Sequence, residues 1–269
     1  NGHPAQHRDQ GAVGGRGFPL WRDAEATRSN IEPAVLDALA DAYGHPVPPE
    51  DAMAYIAAVL AHPAFTVRFA DDLVQPGLRV PLTADADLFA EAADLGREVI
   101  WLHCYGERFH DAAAGRPMAP PRLPQGEGPT IPADGAIPGA PEPLPDTMDY
   151  DPATRRLTIG TGHVDNVPPE VWAYEVSGKQ VLRQWFGYRR RDRSKPVIGD
   201  RRPPSPLDKI QPDHWLAEYT TDLMNLLHVL GRLVRLEPRQ ADLLQRILDE
   251  PLIKLEDLAG SGDDSPDSQ

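Results

Sequence analysis

The chain has 269 residues, 41% hydrophobic and 25% charged, with a formal net charge of -14. That length suits one large domain or two small ones, and the overall acidity argues against a protein that attracts polyanions over its whole surface. A single cysteine, Cys104, excludes an internal disulfide and a cysteine-based zinc cage and fits a reducing compartment; no apolar run approaches the roughly 20 residues of a membrane helix, and no signal peptide is visible.

The opening "NGHPAQHRDQGAVGGRG" reads as a flexible lead-in over 1–20, and "FPLWRD" as a short strand. Ile31 to Tyr43 reads as a helix that stops near Gly44. Pro49 is a suitable start for the next helix, in which Met53, Ile56 and Leu60 recur at helical spacing. His62-Pro63 breaks it, and a further helix is expected through Phe69 to Leu73. "PGLRVPLT" is extended, and Thr83 or Asp85 can cap the following helix. There Leu88, Ala92, Leu95, Val99 and Leu102 step by 4, 3, 4 and 3. Arg116 to Pro145 holds ten prolines in thirty residues, which predicts a linker without regular structure.

Beyond the linker, "MDYDPATRRLTIG" reads as a hairpin turning at Asp151 to Thr154, with Leu157 and Ile159 alternating behind it. A helical turn through Trp172 and Tyr174 stops near Gly178. Val181, Leu182 and Trp185 fit one face of a short helix ending near Gly187. Pro212 to Leu236 is the clearest helix, and another is expected from Pro238 to about Asp249. "GSGDDSPDSQ" is an acidic, polar tail. The expected fold class is helix-dominated α+β: a helical first lobe over 21–112, a Pro-rich linker over 113–146, a second lobe over 147–252 containing a small antiparallel hairpin, and a tail over 253–269.

Catalytic signatures fail in specific ways. Gly178-Lys179 is the end of a phosphate loop, but Ala173 stands where its first glycine belongs and Gln180 replaces the Ser/Thr. His103, Glu107 and His110 would share a helix face and could hold a metal, but Gly106 interrupts them, so a polar helix end is the favoured reading. "NVPPE" departs from the Asn-Pro-Pro-aromatic loop of adenine methyltransferases at Val167 and Glu170. Cys104 has no local activating partner other than His103, adjacent in sequence. No catalytic or metal site is therefore assigned to this chain.

Charge is uneven. Residues 1–150 carry 10 Lys/Arg against 22 Asp/Glu, whereas Lys179 to Arg202 carries nine basic residues and two acidic ones. Screening over about 8 Å makes such a local excess matter more than the total. Arg189, Arg190, Arg191, Arg193 and Lys195 form the densest run, Arg201 and Arg202 follow, and Lys179 and Arg183 are spaced one helical turn apart. Guanidinium groups suit phosphates and guanine edges alike, and an outward Gln184 could read adenine. The run reads either as a nucleic-acid contact or as a solvated loop that balances the acidic remainder. Trp185 reads as core packing rather than base stacking.

"VPPEVWAYEVSGKQVLRQWFGYR" followed by "SPLDKIQPDHWLAEYTTDLMNLLHVLGRLVRLEP" resembles the C-terminal specificity domain of type ISP restriction–modification enzymes, in particular versions attached to actinobacterial adenine-specific DNA methyltransferases. The frame falls on Trp172, Tyr174, Gly178 and Trp185, with one residue fewer between the first two than the family pattern. The stretch from Ala54 to Arg108 resembles the preceding part of the same region. The resemblance implies sequence-specific recognition of double-stranded DNA for a methyltransferase domain acting in cis or in trans. It places Lys179, Arg183, Gln184, Arg189, Arg190, Arg191, Arg193, Lys195, Arg201 and Arg202 on the DNA, with Trp172, Tyr174, Gly178 and Trp185 as the platform. It also implies a bacterial cytoplasmic setting and S-adenosylmethionine as the cofactor of the methyltransferase domain, with no cofactor in this chain. The methyltransferase, helicase-like and nuclease modules are absent from this sequence, so a fragment or a stand-alone module is expected. The alternative is a protein-interaction module that docks on a methyltransferase or helicase domain.

Overall fold

The computed structural model describes residues 19–75, 77, 79–191 and 212–254. Its helices are α1 (Pro33–Tyr43), α2 (Pro49–Leu60), α3 (Pro63–Arg68), α4 (Ala86–His103), α5 (Pro169–Trp172), α6 (Val181–Gly187) and α7 (Ala217–Asp249). Its strands are β1 (Met148–Asp151), β2 (Arg156–Ile159), β3 (Gly162–Val164), β4 (Glu175–Val176) and β5 (Lys179–Gln180). The class is thus helix-dominated with small antiparallel sheets, as the sequence predicts, and the buried side chains from α1 to α7 form one connected cluster.

Proline opens α1, α2 and α3, where its missing N–H costs no helical hydrogen bond and its fixed φ favours the first turn. Gly44 closes α1 at φ 75° and donates its N–H to Ala40 O. Of the two predicted caps for α4, Asp85 is the one used: its carboxylate accepts the Leu88 N–H at 2.8 Å. The stripe from Leu88 to Leu102 is buried against α2. Those two helices approach so closely that Gly96 lies directly against the Ala54 carbonyl. Tyr55 stacks on Phe89 with ring centroids 4.9 Å apart, donates to Pro81 O at 2.7 Å and accepts the Thr83 N–H at 3.1 Å.

Several expectations need correction. "FPLWRD" forms a single bridge, Trp21 to Ser29, and no strand. The third helix stops at Arg68 because residues 70–75 are exposed and have no core to bury against; a 3-10 turn, Asp72–Val74, follows. Pro238 does not divide the C-terminal helix: α7 is continuous for 33 residues. An internal proline costs about 3 kcal/mol in an isolated helix. Here Leu233 and Leu236 before it and Leu243, Leu244 and Ile247 after it are all buried in the same core, so packing offsets the missing hydrogen bond. Gln240, also buried, donates to Ala58 O at 3.0 Å and ties α7 to α2.

The hairpin of β1 and β2 has the predicted turn, with Asp151 accepting from Ala153 N and Thr154 Oγ1. A third strand, β3, extends it in the order β1-β2-β3. Arg156 and Asp165 join its far edge at 2.6 and 3.1 Å.

The Pro-rich stretch has no helix or strand, as expected, yet it is bound along its length. Pro117 O accepts Trp101 Nε1–H at 3.0 Å, and Leu123 N–H donates to His228 Nδ1 at 3.1 Å. Thr130 and Asp165 exchange backbone hydrogen bonds, Gly135 O accepts from His163 N, and Leu144 N–H donates to Asp213 O. Leu123 and Leu144 are buried. Irregular backbone is costly to bury chiefly because its donors go unpaired. A third of this segment's residues carry no N–H, so it can lie against the core with few donors to satisfy. The predicted linker without regular structure is thus a belt packed against the core.

Among the described residues no helix is long and apolar enough to cross a membrane.

Candidate nucleic-acid interface

The segment from Pro169 to Arg191 is built on two aromatic anchors, Trp172 and Trp185. Short α5 delivers Trp172, whose ring stacks on Tyr150 of β1 with centroids 5.2 Å apart and planes 19° apart. Tyr150 is itself held by donating to Val167 O at 2.8 Å. Trp172 O accepts from Gln180 Nε2, and Tyr174 O accepts from Val181 N at 3.0 Å, so the chain folds back on itself before α6 begins. Tyr174 is half-buried; burial and then the Glu237 charge push its hydroxyl up to about 12, so it is a neutral packing group at ordinary pH.

Between the anchors lies a tight hairpin that the sequence reading missed. β4 and β5 pair Glu175 with Gln180 and Val176 with Lys179 around the loop Ser177-Gly178. Both loop residues have positive φ, 51° and 72°, which is the twist a two-residue hairpin requires. Lys179 therefore sits on a strand, not on a helix face shared with Arg183; a Ser-Gly pair after Glu-Val was the available signal. The turn exposes Lys179.

Helix α6 has two sides. Leu182 and Phe186 are buried, and Trp185 is half-buried edge-on to Trp215 at 6.1 Å. Arg183, Gln184 and Tyr188 point outward, Tyr188 being 66% exposed. The Arg183 guanidinium lies 4.8 Å from the Trp172 ring centroid, and Gln184 Nε2 donates to Tyr188 Oη at 3.1 Å. Arg183 is thus held over the half-buried Trp172 ring, and Gln184 is held beside the exposed Tyr188 ring. Trp172, Tyr174 and Trp185 are half-buried, Gly178 is the exposed second residue of the β4–β5 turn, and Tyr150 backs Trp172 from far upstream.

The arginines after Gly187 divide. Arg189 is drawn inward: its guanidinium lies 4.2 Å from the Trp185 ring and 5.4 Å from Tyr219, donates to Trp185 O, and reaches Asp222 at 3.6 Å. Arg191 pairs with Asp146 and donates its N–H to Pro145 O at 3.1 Å. Arg190 is half-buried and its N–H donates to Phe186 O at 3.0 Å. Arg189 and Arg191 are therefore cross-links to α7 and to the Pro-rich belt, which local sequence could not reveal because Asp222 and Asp146 are remote in the chain. Arg193, Lys195, Arg201 and Arg202 lie outside the described residues. The His103, Glu107 and His110 spacing does not become a shared face: α4 ends at His103, and Tyr105 and Gly106 both turn to positive φ.

Residues 4–226 match the family model described as the Type ISP C-terminal specificity domain. No curated protein matches the chain. Among solved structures, the chain is similar to one in the cryoEM structure of a DrdV–DNA complex, with a TM-score of 0.51 and 19% identity, covering 85% of this chain and 21% of that one. It is also similar to a nuclease-deletion mutant of the Type ISP restriction-modification enzyme LlaGI in complex with a DNA substrate mimic, with a TM-score of 0.41 and 18% identity, covering 75% of this chain and 14% of that one. At these identities the likeness to DrdV is one of fold, and this chain spans only a small part of the longer polypeptide. With the family match covering most of its length, the chain belongs to the Type ISP C-terminal specificity domains.

Proposed function

We propose that the chain is the DNA-specificity module of a Type ISP-like restriction–modification system and that α6 with the β4–β5 turn is the surface that meets the duplex. The observation that carries this reading is the exposed set Lys179, Arg183 and Gln184, with Arg183 over the Trp172 ring and Gln184 on the Tyr188 hydroxyl. Two cations suited to phosphate or guanine and one amide suited to adenine stand on a platform fixed from behind. The DrdV structure of similar fold is a DNA complex, which supports the same direction. In this reading residues 147–252 form the specificity lobe, braced through α7 on the helical lobe 21–112. The adenine methyltransferase chemistry, with its S-adenosylmethionine, belongs to a domain acting in cis or in trans. Arg189 and Arg191 act behind the interface, as braces of the platform.

Duplex affinity against salt concentration tests the assignment. Every phosphate that a variant no longer neutralises lowers the slope of log affinity against log salt by about 0.9. A full-length K179A/R183A variant is expected to bind more weakly and with a slope shallower by about 2. Unchanged affinity and slope in a folded variant would remove α6 from the interface.

A further inference from the structure

A second cationic surface lies where α4, the Pro-rich belt and the C-terminal half of α7 meet. Arg232, Arg235 and Arg239 are spaced i, i+3, i+7, so all three project from one face of α7. Arg122 of the belt joins them around a cleft of about 390 Å³. Among the described residues two carboxylates answer these four guanidinium groups. Glu98 pairs with Arg232 at 2.6 Å and reaches Arg239 at 3.9 Å, and Glu127 pairs with Arg235 at 2.6 Å.

The pairs are unequal. Arg232 and Glu98 are mostly covered, and Arg232 also lies 4.9 Å from the Trp101 ring centroid, so this pair holds α7 to α4. Arg235 and Glu127 are close to half exposed and Arg239 more so. Among the described residues Arg122 makes no ion pair; its guanidinium donates to the neighbouring Pro121 carbonyl. Like charges one turn apart on a helix disfavour it, yet the cleft keeps an excess of two positive charges in a chain whose total is -14. Forked guanidinium donors converging from two elements match the oxygens of a phosphate.

We propose that this cleft is a phosphate-binding site in which Arg122, Arg235 and Arg239 hold the phosphate and Glu127 is the carboxylate it displaces. The site goes beyond the α6 surface and does not depend on it. The phosphate comes either from the backbone of a bound duplex or from a free phosphate compound.

The test uses the full chain, a duplex of about 20 base pairs and inorganic pyrophosphate. The variants are R122A/R235A/R239A, E127Q and, as the α6 control, K179A/R183A. Arg232 is left in place, and exposed ion pairs contribute little to stability, so the triple variant should keep the wild-type unfolding midpoint. The expected result is a loss of about tenfold in duplex affinity in the triple variant, a salt slope shallower by about 1, and tighter binding by E127Q. A duplex response locates the phosphate on DNA. Pyrophosphate binding by the wild type that is abolished in the triple variant, with duplex binding intact, locates it on a free compound. A folded triple variant that matches the wild type in both arms overturns the site. Because K179A/R183A is measured in parallel, failure of the α6 reading shows separately as an unchanged control.

Discussion

The guanidinium of Arg189 lies 4.2 Å from the ring centroid of Trp185, one helical turn earlier, and also reaches Asp222 at 3.6 Å on α7. Through these contacts Arg189 clamps α6 to α7. A cation over an aromatic face contributes ~0.5–2 kcal/mol depending on how dry it is. Arg189→Ala is therefore expected to lower unfolding stability by about 1–2 kcal/mol, measured by urea denaturation. Arg189→Lys should recover only part of it, because an ammonium cannot lie flat on the ring. Full stability in Arg189→Ala would contradict the clamp.

The α2–α4 contact offers a sharper stability test. A Cβ added at Gly96 would stand 1.7 Å from Ala54 O, a backbone atom that cannot swing aside. Gly96→Ala must push the helices apart, although alanine is the better helix former. Overpacking typically costs ~1–3 kcal/mol, so a lower denaturation midpoint is expected at the upper end of that range. A neutral or stabilising Gly96→Ala would show that the helices do not approach this closely.

The sequence foretold α4 almost to the residue because its apolar steps repeat over five positions and Asp85 is a strong cap. It foretold α6 from Val181, Leu182 and Trp185 and a stop near Gly187, though Phe186 is the residue buried beside Leu182 while Trp185 is half-buried. What it hid depends on partners far along the chain. Pro238 reads locally as a helix start, and only the shared core on both sides of it keeps α7 unbroken. The belt reads as a linker because proline removes local order, while its anchors, His228 and Asp213, lie about 70 to 105 residues away. In the candidate interface the cations were legible by type. Their division into outward Lys179 and Arg183 and inward Arg189 required Asp222 and Tyr219 to be placed.

The belt's anchor gives a pH prediction. Burial first, and then the Arg122 charge, pull His228 from an ordinary 6.5 to about 4. Its neutral Nδ1 accepts the Leu123 N–H. Between those two values the unfolded chain binds more protons than the folded one, so stability rises with pH. The stability that neutral His228 contributes is fully present above pH 6.5 and disappears as pH falls through about 4. His62 and His103 are shifted the same way by burial and remain in any variant, so the comparison must be made at one site. His228→Gln is expected to flatten the fall in unfolding free energy between pH 6.5 and 4, followed by urea titrations across that range. An identical pH profile would mean that His228 titrates alike in the folded and unfolded chain.

Selection of bound sequences from a randomised duplex pool tests the central claim most directly. The full chain is expected to enrich one motif, and Gln184→Ala is expected to lose preference at a single adenine-bearing position while keeping its unfolding midpoint. Each well-made base contact discriminates by ~1–3 kcal/mol, enough to read clearly in the enriched sequences. A wild-type pool with no enriched motif, or a motif indifferent to Arg183 and Gln184 alike, would contradict sequence recognition by α6.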